Sequence, residues 1–174
     1  IFIAGADLKA LRHLCPARME QLIWLGQAAF DRLARLRMPK VALIHGACAG
    51  GGYEMALACD WRIATDDPAT KIGLPETQLG LLPGWGGTVR LPRLLGLRRA
   101  LDVILSGKLH PAKAALKKGL VTHLAPPEAA PALAHQLALG SRFSFPFHAD
   151  HLPGIAHLIS RLARRSVLAQ TRGL

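Results

Sequence analysis

At 174 residues the chain is long enough for one ordinary domain with a substantial core, and 51% hydrophobic against 19% charged residues excludes a mainly disordered polypeptide. Seventeen glycines and twelve prolines are too few for a low-complexity linker, and no apolar run reaches the ~18 residues that a membrane-spanning helix needs. The net charge of +11 lies almost wholly in the second half, where residues 88–174 carry thirteen Lys/Arg against three Asp/Glu, compared with nine against eight over residues 1–87.

In chain order, Met19, Leu22, Ile23, Phe30 and Leu33 recur at helical spacings after Pro16 and predict one amphipathic helix that ends before Met38-Pro39. The short apolar run Val41–Ile44 predicts a buried strand. His45-Gly-Ala-Cys-Ala-Gly-Gly-Gly52 reads as a glycine-dense turn into the helix-forming Tyr53–Cys59, so the implied order is strand, tight turn, helix. Trp61–Ala64 is a second strand and Asp66-Asp-Pro68 a turn. Leu79–Gly87 is a Gly/Pro-rich loop, followed by helical stretches over about 87–95 and 98–106. A further helix covers about 111–118 with Gly119 as its C′ residue, and Leu120–Leu124 is a strand or extended segment. Short strands alternating with helices predict a parallel-sheet α/β fold. From 126 onward the pattern is helical, broken over Ser141–Pro153, and a last helix at about 154–170 carries Arg161, Arg164 and Arg165.

Three unevenly spaced cysteines, Cys15, Cys48 and Cys59, supply neither a disulfide framework nor a CxxC metal site, so reduced thiols are expected. The basic second half calls for something anionic. With nine aromatic residues and no zinc-finger, RNP or basic-zipper pattern, nucleic acid is set aside; a phosphorylated small molecule, an acidic partner domain or a solvated basic face remain.

Three consecutive glycines between a strand and a helix invite a phosphate-binding reading, and both familiar patterns fail. Gly46 and Gly51 have the Walker spacing, but Gly52-Tyr53 stands where Lys-Ser/Thr is required; Gly50 and Gly52 begin GxGxxG, but Met55 replaces its last glycine. What is left is a turn at which backbone approaches a ligand closely and N–H groups face developing negative charge, as in an oxyanion hole. Glu54 follows in the first turn of the helix, where a carboxylate would complement the dipole whether or not it does chemistry. Glu76 follows Pro75 in a loop and on its own is an ordinary surface charge. His45 reads as structural, Cys48 as a small packed residue, and Trp85 either as core or as the lining of an acyl tunnel.

Taken together, Ile3-Ala-Gly-Ala-Asp-Leu-Lys9, Ile44-His-Gly-Ala-Cys-Ala-Gly-Gly-Gly-Tyr-Glu54 and Gly73-Leu-Pro-Glu-Thr-Gln-Leu-Gly-Leu-Leu-Pro-Gly-Trp-Gly-Gly-Thr88 resemble the crotonase superfamily of acyl-CoA enzymes over about residues 1–125. Within it, Val89-Arg-Leu-Pro-Arg-Leu-Leu-Gly96 and the Asp-Asp-Pro insertion are most similar to the hydratase portion of multifunctional fatty-acid oxidation α subunits. The resemblance implies an α/β superhelix of ββα type, here with its first strands absent. It also implies a core at 1–125 and a helical segment and linker at 126–174 leading toward a further, nicotinamide-dependent domain. Since the chain opens at Ile1 inside the oxyanion segment, the parent reading frame is expected to continue on both sides.

For the site, the resemblance implies oxyanion donors at the backbone N–H groups of Ala6 and Gly51, and an acid/base pair formed by Glu54 and Glu76. Gly84 would supply an amide that positions water, and Asp7 and Lys9 would lie toward the CoA phosphates. The implied activity is hydration of 2-enoyl-CoA in fatty-acid β-oxidation, with double-bond isomerisation by the same pair, or acyl-CoA binding without turnover, as alternatives. No metal and no separate cofactor are implied, since coenzyme A arrives as part of the substrate. The expected partners are the acyl-CoA and a homo-oligomer or larger β-oxidation complex, in a bacterial cytoplasm or a mitochondrial matrix, without nucleic acid or a transmembrane segment.

Overall fold

The computed structural model describes residues 1–140 except Ala6 and Arg12. The break predicted over Ser141–Pro153 and the arginine-bearing helix at 154–170 lie outside the described residues. The chain begins with an extended segment whose Ile3 bridges Cys48, then a one-turn helix α1 (Leu8–Leu11) and the long helix α2 (Pro16–Arg35). Pro16 at the first position fits a helix start, because the amide that proline lacks would have had no partner there. Next come β1 (Val41–Ile44), β2 (Ala47–Ala49) and the short helix α3 (Gly51–Ala56). Strands β3 (Trp61–Thr65) and β4 (Lys71–Gly73) precede a 3₁₀ turn at Glu76–Leu79. The rest is α4 (Gly87–Leu95), α5 (Leu97–Ser106), β5 (His110–Pro111), α6 (Ala112–Lys118), β6 (His123–Ala125) and α7 (Ala130–Gly140).

These strands form two three-stranded sheets, and the parallel pairing expected from the alternation of elements holds everywhere except between β4 and β5. One, in the order β1-β3-β6, is parallel throughout; the other, β2-β4-β5, pairs β2 with β4 in parallel and β4 with β5 antiparallel. From β1 to β4 successive strands alternate between the sheets, with tight turns at Gly46 and at Asp66–Thr70, while β5 stays in the sheet of β4. The repeating unit is therefore strand, strand, helix. Thr65 and Thr70 at the second turn are fully buried and hydrogen-bonded to each other at 2.9 Å, and Thr70 accepts the Gly46 amide at 3.1 Å, which ties the two corners together. His45 joins this network through Nδ1, 3.0 Å from Thr65 Oγ1.

Two local readings need correction. The stretch from His45 to Gly52 is not one turn, because Ala47–Ala49 pairs with Lys71–Gly73 as a strand; α3 then starts at Gly51 and ends at Ala56 rather than Cys59. The extended segment at 120–124 becomes a strand only from His123, because Leu120 and Val121 are spent on the core and Leu120's carbonyl accepts the buried Tyr53 hydroxyl at 2.8 Å. The principal core gathers Ile44, Tyr53, Ile72, Leu74, Leu91, Val103 and Leu120 between sheets and helices. A smaller cluster under α7 includes Ile63, Ala125 and Ala130. Gly119 closes α6 at φ +80°, as its position predicts.

Candidate active site

Strands β2 and β4 are neighbours in register, Ala49 beside Gly73, and their carboxyl ends are joined by the Gly50 amide donating to the Gly73 carbonyl at 3.0 Å. Each strand runs directly into an element that carries a glutamate. Glu54 comes from the first turn of α3, and Glu76 from the start of the 3₁₀ turn. Both line a cavity of about 650 Å³, together with Gly50, Gly51, Gly84 and Trp85. This is the place where ligands settle in open α/β sheets, beyond the carboxyl ends of adjacent parallel strands. The remainder of the wall is apolar, from Met19, Leu22 and Ile23 of α2 to Leu79 at the end of the 3₁₀ turn and Leu81 and Leu82 beyond it.

Glu54 is 2% exposed. Two backbone amides, those of Trp85 and Gly87, donate to its Oε1 at 2.8 Å each. Burial pushes its carboxyl above the usual range, while the Gly87 and Trp85 amides and the Arg90 guanidinium pull the other way, toward the charged form. A Cβ on Gly87 would stand 3.0 Å from the same Oε1, close enough to press on the carboxylate.

Glu76 is held differently. Its turn is fixed to the end of α5 by the two residues that follow it: Thr77 Oγ1 donates to the Ile104 carbonyl at 3.1 Å and Gln78 Nε2 to the Gly107 carbonyl at 2.8 Å. The carboxyl faces the bare Cα of Gly50, where φ is +56° and a Cβ would lie 2.9 Å from Glu76 Oε1. Glu76 Oε2 is buried without a hydrogen-bond partner. Burial, and then the neighbouring Glu54 charge, push this carboxyl up to about 7, against the pull of its own backbone amide. The structure thus brings together two carboxyls in contrasting settings: one with amide donors that favour its anion, the other with an oxygen that favours a proton.

Gly51 lies at the cavity wall as the first residue of α3, where an amide has no intrahelical acceptor. The segment with Ala4 and Gly5 passes beside it; a Cβ on Gly5, at φ +98°, would stand 3.2 Å from the Ala49 carbonyl and 4.0 Å from the Gly51 nitrogen. Ala6 lies outside the described residues. Gly84 also lines the cavity, and its carbonyl accepts Gln27 Nε2 at 2.8 Å. Asp7 is exposed and its Oδ1 accepts the Lys9 and Ala10 amides, so it caps α1; Lys9 is exposed as well. Trp85 proves to be both lining and packing, since it lines the cavity and makes an edge-to-face contact with Phe30 at 5.7 Å. Cys48 is buried under the turn, which raises its thiol to about 12 and leaves it unreactive.

The residues that sequence inspection missed surround Glu54 at one remove. Arg90 Nη1 donates to the Trp85 carbonyl at 2.9 Å and its Nη2 pairs with Asp31 Oδ1 at 2.5 Å. Asp31 and Gln27 are four positions apart on α2 and so share one face of it. Among the described residues no set of three or more His, Cys, Asp or Glu is grouped as a metal site would need, and no helix is long and apolar enough to cross a membrane.

Residues 1–146 match the enoyl-CoA hydratase/isomerase family model. Among solved structures, an enoyl-CoA hydratase from Geobacillus kaustophilus HTA426 is 41% identical with a TM-score of 0.75, over 80% of this chain and 52% of that one. The enoyl-CoA hydratase of Bacillus anthracis is 36% identical with a TM-score of 0.73, over 79% and 52%. Pseudomonas aeruginosa DspI is 38% identical with a TM-score of 0.74, over 83% and 55%. The chain therefore spans about half the length of the solved proteins it matches.

Proposed function

The chain belongs to the enoyl-CoA hydratase/isomerase family, with the crotonase fold, and from that premise we propose that its site adds water across the double bond of a 2-enoyl-CoA. The observation that carries the proposal is the pair of unlike carboxyls in one apolar cavity. Hydration needs a base for water and an acid for the α-carbon at the same time; burial raises both carboxyls, but Glu54 has two amide donors that favour its anion, whereas the unpartnered Oε2 of Glu76 favours a proton.

In this reading Glu54 is the base. Its Oε1 is saturated by the Trp85 and Gly87 amides, so its other oxygen takes the proton from a water that the Gly84 amide helps to orient. As the water oxygen bonds to the β-carbon, the double-bond electrons move through the α-carbon to the thioester oxygen. The resulting enolate is stabilised by the amides of Gly51 and Ala6, each donor of this kind being worth roughly 3 kcal/mol. Glu76 then gives its proton to the α-carbon as the carbonyl re-forms. One proton has left Glu76 and one has arrived on Glu54, and exchange within the pair or with solvent restores the start. The substrate class rests on the family, the apolar wall suits its acyl chain, and we place the reaction in fatty-acid β-oxidation by the resemblance of residues 89–96 to multifunctional α subunits.

The test is hydration of a four-carbon 2-enoyl-CoA, followed as loss of its ultraviolet absorbance. Glu54→Gln and Glu76→Gln are each expected to lower kcat by ~10²-fold or more with little change in substrate affinity. Near-normal turnover in either variant would refute the two-carboxyl mechanism. Lost hydration with retained double-bond isomerisation would transfer the reading to an isomerase.

A further inference from the structure

Three contacts bind the loop 84–87 to helix α2 across almost 60 positions of sequence. Gln27 holds the Gly84 carbonyl, Asp31 holds Arg90, which in turn holds the Trp85 carbonyl, and Phe30 meets the Trp85 ring edge to face. The peptide unit of the Gly84 carbonyl presents the Trp85 N–H to Glu54, and the Trp85 carbonyl belongs to the next unit, which links that donor to the second one, the Gly87 N–H. Holding the Gly84 carbonyl therefore sets the aim of the Trp85 amide directly, and holding the Trp85 carbonyl fixes the peptide that connects it to the Gly87 amide. Gly86 makes room for the arrangement: its φ is +107°, and a Cβ there would fall 2.0 Å from Arg90 Nη1. Arg90 itself is 7% exposed, a desolvated cation kept in place by one carboxylate and one carbonyl.

We propose that Arg90, with Asp31 and Gln27 of α2, forms a clamp that positions the base Glu54: it fixes the two amides that grip Oε1 and sets a permanent positive charge behind them. Arg90 touches no substrate in this scheme and is a positioning residue. The inference rests on the role of Glu54 proposed above. The charged groups facing Glu54 are Arg90 from α4 and Glu76 from the 3₁₀ turn, while Asp31 from α2 and Arg93 from α4 face Arg90. Because Arg90 favours the anion of Glu54, its loss raises the pH at which the base becomes available. The acid limb of the rate profile then moves up, whereas the alkaline limb, set by Glu76, stays.

The experiment compares kcat, KM and the pH profile for hydration of a four-carbon 2-enoyl-CoA in Arg90→Met, Arg90→Lys, Gln27→Leu and Glu54→Gln, each checked for a cooperative thermal melt. Arg90→Met should lose ~10- to 100-fold in kcat with KM nearly unchanged, and its acid limb should move to higher pH. Arg90→Lys, which keeps the charge but loses the two-armed grip, should return the limb to its wild-type position with only part of kcat. Gln27→Leu should lower kcat without moving the limb, since no charge changes. A wild-type kcat and limb in folded Arg90→Met, beside an inactive Glu54→Gln, would overturn the clamp alone. If Arg90→Met does not fold, wild-type kcat in both Arg90→Lys and Gln27→Leu overturns it equally. A Glu54→Gln variant at wild-type rate would instead remove Glu54 as the base, and the clamp would fall with it.

Discussion

At the scale of single residues, the chemistry proposed for Glu76 costs stability, and the cost has a predictable pH dependence. Its carboxyl is raised from 4.5 to about 7 in the folded protein, so the folded state binds this proton more tightly than the unfolded state does. At and below about pH 4 both states are protonated and no penalty exists. As pH rises toward about 7 the unfolded chain ionises freely while the folded chain resists, and stability falls across that window. Glu76→Gln should therefore melt at a higher temperature than wild type at pH 8 and lose that advantage near pH 4. Thermal melts at the two pH values check this. A gain of equal size at both would mean that packing rather than charge is responsible, and no gain at pH 8 would mean that the buried carboxyl carries no strain.

At the scale of elements, α2 contains a glycine, Gly26, in its interior, where glycine costs roughly 1 kcal/mol relative to alanine. The reason lies on another element. A Cβ on Gly26 would meet Trp85 Nε1 at 2.2 Å, and the indole cannot retreat, because its far edge already rests on Gly51, where a Cβ would meet Cζ3 at 2.4 Å. Gly26→Ala should accordingly destabilise the protein by ~1–3 kcal/mol through overpacking, whereas in a Trp85→Ala background the same change should stabilise it by up to about 1 kcal/mol. Denaturant melts of the four members of this cycle decide it; the same sign in both backgrounds would show that the ring does not explain the glycine. The episode also indicates what was legible beforehand. Helices α2, α4, α5 and α6 follow from apolar periodicity and turn residues. Strands β2, β4 and β5, of two or three residues each, have no room for a period-two pattern and exist through pairing with distant partners. Glu54 and Glu76 stand within motifs, but Arg90 and Asp31 are 59 positions apart and nothing local links them.

At the scale of the whole molecule, one wall of the cavity comes from the opening segment of the chain, which is docked to β2 by a few backbone contacts. The Phe2 and Ile3 amides reach the Ala47 carbonyl at 3.0 and 3.1 Å, and the Ala49 amide reaches the Ile3 carbonyl at 3.1 Å. Gly52 is what lets this segment approach, since a Cβ there would stand 2.2 Å from the Ile3 carbonyl oxygen, a backbone atom with no rotamer to escape into. Gly52→Ala should thus push the segment off β2 while leaving Glu54 and Glu76 in their own anchored elements. Amide exchange at Ala49 should quicken, and kcat should fall ~10-fold or more as the wall beside Gly51 shifts by an ångström or so. Gly80→Ala is the control. Its φ of +72° strains an alanine, but a Cβ there meets nothing within 4 Å, so it should lose about 1 kcal/mol of stability and keep its turnover. Equal turnover in Gly52→Ala and wild type, with exchange at Ala49 unchanged, would mean that the opening segment does not need this approach, and that the cavity is shaped by the sheets and α2 without it.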